Sequence, residues 1–217
     1  MSEADNRYLV VEGPIGVGKT SLARRLSQSL GAELLLEQAA DNPFLARFYE
    51  DPRGAAFPTQ LFFLLQRAEQ MRGLGQGDMF RPCRVADFLF HKDRVFAELN
   101  LDEAEFELYD RVYRELAVQV PAPDLVIYLQ APVEVLRRRI ARRGIPWEQN
   151  IAPGYLESLA EAYVRFFYHY DEAPLLIVNS ADINPVASDA DYALLLEQVR
   201  GVRSGRHYFN PAPIGLG

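Results

Sequence analysis

The chain has 217 residues and is 49 % hydrophobic, enough for one α/β domain (1–217) with a substantial core. A net charge of −7 argues against a general nucleic-acid binder, which needs a broad basic face, but leaves room for a nucleotide, which a few local groups can hold. No apolar run approaches the roughly 18 residues of a membrane span. No basic-then-apolar opening suggests a signal peptide, and one cysteine, Cys83, cannot form an internal disulfide, so a reducing cytoplasm is expected.

In chain order, the apolar run Tyr8 to Glu12 predicts a strand. It feeds into Gly13-Pro14-Ile15-Gly16-Val17-Gly18-Lys19-Thr20, which satisfies the pattern G-x-x-x-x-G-K-[ST]. Leu22, Leu26 and Leu30, four apart, make the next segment an amphipathic helix that Gly31 stops. Glycines at 13, 16 and 18 let backbone N–H groups turn inward around phosphate oxygens, and the helix N-terminus adds a favourable dipole. The pattern places Lys19 on the β- and γ-phosphates of ATP and Thr20 on Mg²⁺. A chance match in such a chain is on the order of one in a hundred.

Glu33 to Glu37 predicts the second strand. Glu37 would stand at its carboxyl end, where open parallel sheets bind ligands. A carboxylate there can take a proton from a hydroxyl that attacks the γ-phosphate; a capping or solvated glutamate is the alternative reading. Asn42-Pro43 marks a helix start, and Phe57, Leu61, Leu64, Leu65 and Ala68 form an apolar helical stripe. Phe44, Phe48, Phe62 and Phe63 read as core. Gly73 to Arg84 is a loop by composition, and Arg84 to Asp87 the third strand. Asp102 with Glu105 forms a capping box. Pro121 and Pro123 make a second break before the fourth strand, Leu125 to Gln130. The arginine-rich stretch 137–143 reads as a solvated helix end or an anion clamp. Leu175 to Asn179 is the fifth strand, and the tail from Arg203 is expected to be irregular. Most of these strands are continuously apolar, as strands covered on both faces are. The prediction is therefore an α/β fold of the P-loop NTPase type: a five-stranded parallel sheet, helices on both faces, and a short arginine-containing lid at about 139–152. The three histidines have no metal-ligand spacing.

Several separated segments, in order, resemble the deoxynucleoside kinase family, especially its bacterial deoxyguanosine/deoxyadenosine kinase branch. They are Val10 to Thr20, Glu37 with Asp41 to Leu45, Phe48-Tyr49, Gln60 to Leu64 with Arg67, Lys92 to Ala97, Asp124 to Ala131, and Arg143-Gly144 with Glu148. The similarity spans about residues 7 to 200. It implies that Glu37 is the general base for a sugar 5′-hydroxyl and that Gln60 reads the base edge. It implies that Tyr49 and Glu148 hold the 3′-hydroxyl, that Phe96 and Arg67 line the base pocket, and that Arg139 and Arg143 grip the transferring phosphoryl group. It also implies a homodimer. By residue type alone, Gln60 and Tyr49 would be helix-surface residues, and Trp147 could pack on substrate or protein.

The pattern is broken twice. The family carries Glu-Arg-Ser after the third strand, where this chain has Val85-Ala86-Asp87-Phe88-Leu89 without arginine. Asp87 there suits either Mg²⁺ or the acceptor. The lid usually reads Arg-x-Arg, and here it is Arg143-Gly144-Ile145. The expected activity is MgATP-dependent phosphorylation of a deoxynucleoside, a purine from the branch resembled. The alternatives are a kinase of a nucleoside monophosphate or another hydroxyl metabolite, and a weakened nucleotide-binding regulatory protein. No nucleic-acid or membrane partner is expected.

Overall fold

The computed structural model describes residues 7–75, 83–117, 120–181 and 188–210. Among these residues six parallel strands form one sheet in the order β2-β3-β1-β4-β5-β6. They are β1 (Tyr8–Glu12), β2 (Glu33–Leu35), β3 (Arg84–Ala86), β4 (Leu125–Gln130), β5 (Leu175–Asn179) and β6 (Arg206–Phe209). The described residues also form the α-helices α1 (Lys19–Leu30), α2 (Leu45–Glu50), α3 (Pro52–Gly75), α4 (Asp93–Asn100), α5 (Glu103–Ala117), α6 (Val133–Arg143), α7 (Pro153–His169) and α8 (Asp189–Gly201).

Pleating sends alternate strand residues to opposite faces, and both faces are covered. Leu9, Val11, Leu125 and Ile127 meet Leu22 and Leu26 of α1, Leu136 of α6 and Leu195 of α8. Val10, Val126 and Tyr128 meet Leu64 and Met71 of α3, Tyr109 of α5, and Tyr163 and Phe167 of α7. A smaller cluster, Leu45, Phe48, Ala55 and Ala56, joins α2 to α3 and carries the partly buried Tyr49, Phe63 and Trp147.

The sheet has six strands, not five, and the correction lies in the tail. Where irregular chain was expected from Arg203, Arg206–Phe209 pairs with β5, Leu175 opposite Arg206 and Val178 opposite Phe209. An edge strand needs a ladder on one side only and need not be continuously apolar; Tyr208 is 72 % exposed while Phe209 packs on the core. Arg206 also donates to the carbonyls of Phe167, Tyr168 and Tyr170, tying this strand to the C-terminal end of α7. Residues 211–217 of the tail lie outside those described. So do 76–82 of the expected loop, whose first residues instead extend α3. Strands β2 and β3 stop at Leu35 and Ala86, so Glu37 and Asp87 both lie just past the strand ends. The Asp87 N–H still donates to the Leu35 carbonyl at 3.1 Å, whereas the N–H of Glu37 is taken by the Asp87 side chain.

Two local devices set helix positions. Asn42 accepts the N–H of Phe44 through Oδ1 and donates through Nδ2 to the carbonyl of Thr59, which docks the start of α2 against α3 beside Gln60. Asp102 and Glu105 form the expected reciprocal cap, with Glu105 N–H to Asp102 Oδ1 at 2.9 Å and Asp102 N–H to Glu105 Oε2 at 3.3 Å. Asp102→Ala should lower unfolding stability by about 1 kcal/mol in chemical denaturation and leave kinase turnover unchanged, because neither Asp102 nor any residue of α5 lines the cavity described below.

Candidate active site

The phosphate loop leaves β1 and is pressed between β4 and α6. A Cβ at Gly13 would lie 2.5 Å from the Leu129 carbonyl oxygen. At Gly16, which has a φ of 83°, it would lie 2.7 Å from Ile140 Cγ1 and 3.0 Å from the Leu136 carbonyl oxygen. Only glycine fits so close an approach with left-handed backbone. Lys19 Nζ donates to the carbonyl oxygens of Gly13 at 2.7 Å and Pro14 at 3.4 Å. Burial, reinforced by Lys92, pulls its pKa down to about 8. A polyphosphate in the cradle would compensate this charge.

Thr20 and Asp87 meet across the sheet. The Thr20 hydroxyl donates to Asp87 Oδ2 at 2.5 Å, and Asp87 Oδ1 accepts the N–H of Glu37 at 2.7 Å. One aspartate thus joins the loop to the segment that carries Glu37. Burial raises the Asp87 pKa, against the opposing hydrogen bond from Thr20 and the charges of Lys19 and Lys92. A buried carboxylate short of compensation beside a hydroxyl suits Mg²⁺, which prefers oxygen donors, takes few ligands from protein and completes its shell with phosphates and water.

A cavity of about 290 Å³ opens beside this pair. The loop and strand ends give it Gly16, Lys19, Thr20, Glu37 and Asp87; α2 and α3 give Tyr49, Gln60, Phe63 and Arg67; Lys92 and Phe96 follow β3. The lid closes it with Arg143, Ile145, Trp147 and Glu148. Gly144, left-handed at φ 68°, ends α6 and turns the chain into a 3-10 turn at Pro146–Asn150. Arg143 grips Glu148 in a two-pronged ion pair across that turn, Nε to Oε2 at 3.0 Å. Burial raises the Tyr49 phenol above its ordinary range, and Tyr155 and Glu148 add to it.

Charge in the pocket floor is paired in a chain. Arg67 bonds both Glu37 and Asp93, the first residue of α4. Lys92, 2 % exposed, lies 3.4 Å from Glu37 Oε1 and 3.6 Å from Glu12 Oε2. Burial brings the Lys92 pKa down to about 8. Glu12 is wholly buried at the end of β1. It accepts from Gly13 N–H, Tyr163 O–H and Leu89 N–H at 2.8, 3.0 and 2.7 Å.

Most of the residues singled out in the sequence thus line one cavity. Arg139 does not. Its guanidinium donates to the Val17 carbonyl at 3.0 Å and to Ser180, bracing the back of the phosphate loop against β5. Ile145, at the position of the missing lid arginine, does face the cavity. Glu12 and Lys92 were given no role from the sequence; Phe63, read as core, and Trp147, left between substrate and protein, both reach the cavity wall. An acid closing an apolar strand was the available signal for Glu12. Nothing local marks Lys92, at the end of a 3-10 turn between β3 and α4.

A family model described as deoxynucleoside kinase matches residues 9–202. The deoxyguanosine kinase of Bacillus subtilis is 36 % identical over 177 residues, 81 % of this chain and 86 % of that one. The chain belongs to the deoxynucleoside kinase family. It is a phosphotransferase with a hydroxyl acceptor. The deoxyadenosine/deoxycytidine kinase of Bacillus subtilis is 26 % identical to this kinase over 206 residues, 91 % of this chain and 93 % of the relative. Among solved structures, deoxyadenosine kinase from M. mycoides with bound dATP shares the fold at a TM-score of 0.77 and 23 % identity, covering 89 % of this chain and 99 % of that one.

The tight contact at Gly16 makes it a sensitive probe of the cradle. Gly16→Ala in this kinase should weaken ATP binding about tenfold in calorimetry, since one strained residue costs on the order of 1–3 kcal/mol. Unchanged affinity would mean that α6 yields without disturbing the loop.

Proposed function

We propose that this kinase transfers the γ-phosphoryl group of ATP to the 5′-hydroxyl of a purine deoxynucleoside, with Mg²⁺ held by Thr20 and Asp87. The observation that carries the reading is one cavity lined by both the phosphate-loop pair Lys19 and Thr20 and the acceptor set Glu37, Tyr49, Gln60 and Glu148. The purine preference rests on relatives named deoxyguanosine kinase in Bacillus subtilis and Lactobacillus acidophilus.

In this reading Glu37 takes the proton of the 5′-hydroxyl as its oxygen attacks phosphorus. Lys19 and Arg143 stabilise charge on the transferring oxygens, and Mg²⁺ adds charge neutralisation at the phosphates when bound. Gln60 offers a donor and an acceptor to the base edge, Phe96 packs on the base, and Tyr49 with Glu148 holds the 3′-hydroxyl. Arg67 acts mainly on Glu37, fixing its carboxylate from the base side. Arg139 acts one step back, through the loop. A nucleoside monophosphate would need a cation of its own for its phosphate, yet Arg67, the arginine beside the base pocket, already pairs with both Glu37 and Asp93.

The same reading places the enzyme in the cytoplasm; among the described residues no helix is long and apolar enough to cross a membrane. It includes a homodimer through helix packing, supported by Leu108 of α5 and Val164 and Tyr168 of α7, which are 51 %, 53 % and 71 % exposed. Sedimentation at micromolar concentration should give twice the chain mass; a monomer would remove the dimer from the reading.

Labelled ATP and Mg²⁺ offered with a panel of nucleosides and monophosphates should label deoxyguanosine or deoxyadenosine best. Transfer to a monophosphate alone would overturn the assignment. Glu37→Gln should lower kcat by about a hundredfold or more with little change in nucleoside KM. Near wild-type turnover would exclude Glu37 as the base.

A further inference from the structure

The strand end that lacks the family's arginine is followed, five residues after Asp87, by a buried lysine. The chain reaches it through a 3-10 turn, Phe90–Lys92, whose start is pinned to β1 by the bond from Leu89 N–H to Glu12 Oε2. The turn closes with Lys92 N–H on the Leu89 carbonyl, and this returns the Lys92 side chain to the cavity. Its Nζ stands 3.4 Å from Glu37 Oε1 and 5.6 Å from the centre of the Phe96 ring, between the proposed base and the aromatic proposed for the nucleobase.

The plain explanation is a counter-ion for Glu12 and Glu37. The geometry gives it too little to do. Glu12 already accepts three close bonds from neutral donors, and Lys92 approaches it only to 3.6 Å. Glu37 already has Arg67. An ammonium carries three donors, and the carboxylate contacts of the Lys92 ammonium are long, 3.4 Å to Glu37 Oε1 and 3.6 Å to Glu12 Oε2. Burying a lysine is costly unless it is well paired, so a loosely held ammonium in a substrate cavity has capacity for a further oxygen.

We propose that Lys92 is a catalytic residue that supplies the cation missing from the third strand end, its Nζ donating to the acceptor oxygen and to an oxygen of the transferring phosphoryl group. The proposal rests on Glu37 being the base. In the step, the bond from acceptor oxygen to γ-phosphorus forms and the bond from γ-phosphorus to the bridging oxygen breaks, with the electron pair leaving on ADP. The hydroxyl proton passes to Glu37. Lys92 keeps its own protons throughout and contributes only charge and position.

The test compares Lys92→Met, Glu12→Gln and the double variant Glu12→Gln/Lys92→Met, with thermal melts to check folding. Removing both members of the pair avoids a lone buried carboxylate at Glu12. Lys92→Met should lower kcat about a hundredfold or more, with nucleoside affinity changed less than about threefold. The double variant should show the same loss relative to Glu12→Gln alone. In Lys92→Ala, methylammonium in the assay should restore at least about tenfold in kcat. A double variant that turns over like Glu12→Gln would overturn the proposal. So would a loss confined to nucleoside affinity and not rescued by the amine. Failure of the wild-type enzyme to phosphorylate any nucleoside would instead overturn the acceptor assignment, and Glu37→Gln reports separately on the base.

Discussion

Two buried cations hold the active-site end of this molecule together. Lys92 lies between Glu12 at the end of β1 and Glu37 past the end of β2, and Arg67 of α3 spans Glu37 and Asp93 at the head of α4. Through four carboxylate contacts they join two strand ends, a turn and two helices. Such a chain of charges is weak support for overall stability, because desolvation offsets much of the attraction. Removing one partner alone is a different matter and costs about 3–5 kcal/mol, since it strands a buried charge. The consequence is positional. Glu37 lies just past the end of β2, where Arg67 fixes its carboxylate, Lys92 stands 3.4 Å away and Asp87 takes its N–H.

Asp87 links that acidic floor to the phosphate loop. Its two oxygens take the Thr20 hydroxyl and the Glu37 N–H, so any shift of the loop is transmitted to the proposed base within one side chain. On the other side, α6 leans on Gly16 through Ile140 and Leu136, and Arg139 holds the Val17 carbonyl. The lid therefore begins as part of the loop's own packing. Only beyond Gly144 does it turn over the cavity, where Arg143 and Glu148 clasp each other. That pairing leaves Arg143 44 % exposed at its side chain, with reach to a phosphoryl oxygen if Glu148 turns to a sugar hydroxyl.

The sheet shows where sequence reasoning is strong and where it weakens. β1, β4 and β5 were legible because strands covered on both faces must be apolar throughout. β6 was not, because Arg206–Phe209 bonds one neighbour and faces solvent at Tyr208. The capping box at Asp102 was legible because its partners are three residues apart. The contact between Arg206 and the end of α7 joins residues nearly forty positions apart, and no local pattern encodes it.

The site divides along the same line. The loop from Gly13 to Thr20 was determined by the sequence alone, since its chemistry resides in contiguous backbone and two adjacent side chains. Glu37, Tyr49, Gln60 and Glu148 could be named from separated motifs, because each motif is local even though the cavity is not. Tertiary structure alone decided which side chains share a charge. It buried Lys92 against Glu12 across eighty positions of sequence, turned Arg139 away from the cavity, and brought Phe63 and Trp147 to its wall. The physical reason is that burial and ion pairing depend on the distance between side chains in the folded chain, and a lysine in a short turn looks the same in sequence whether it ends in water or between two carboxylates.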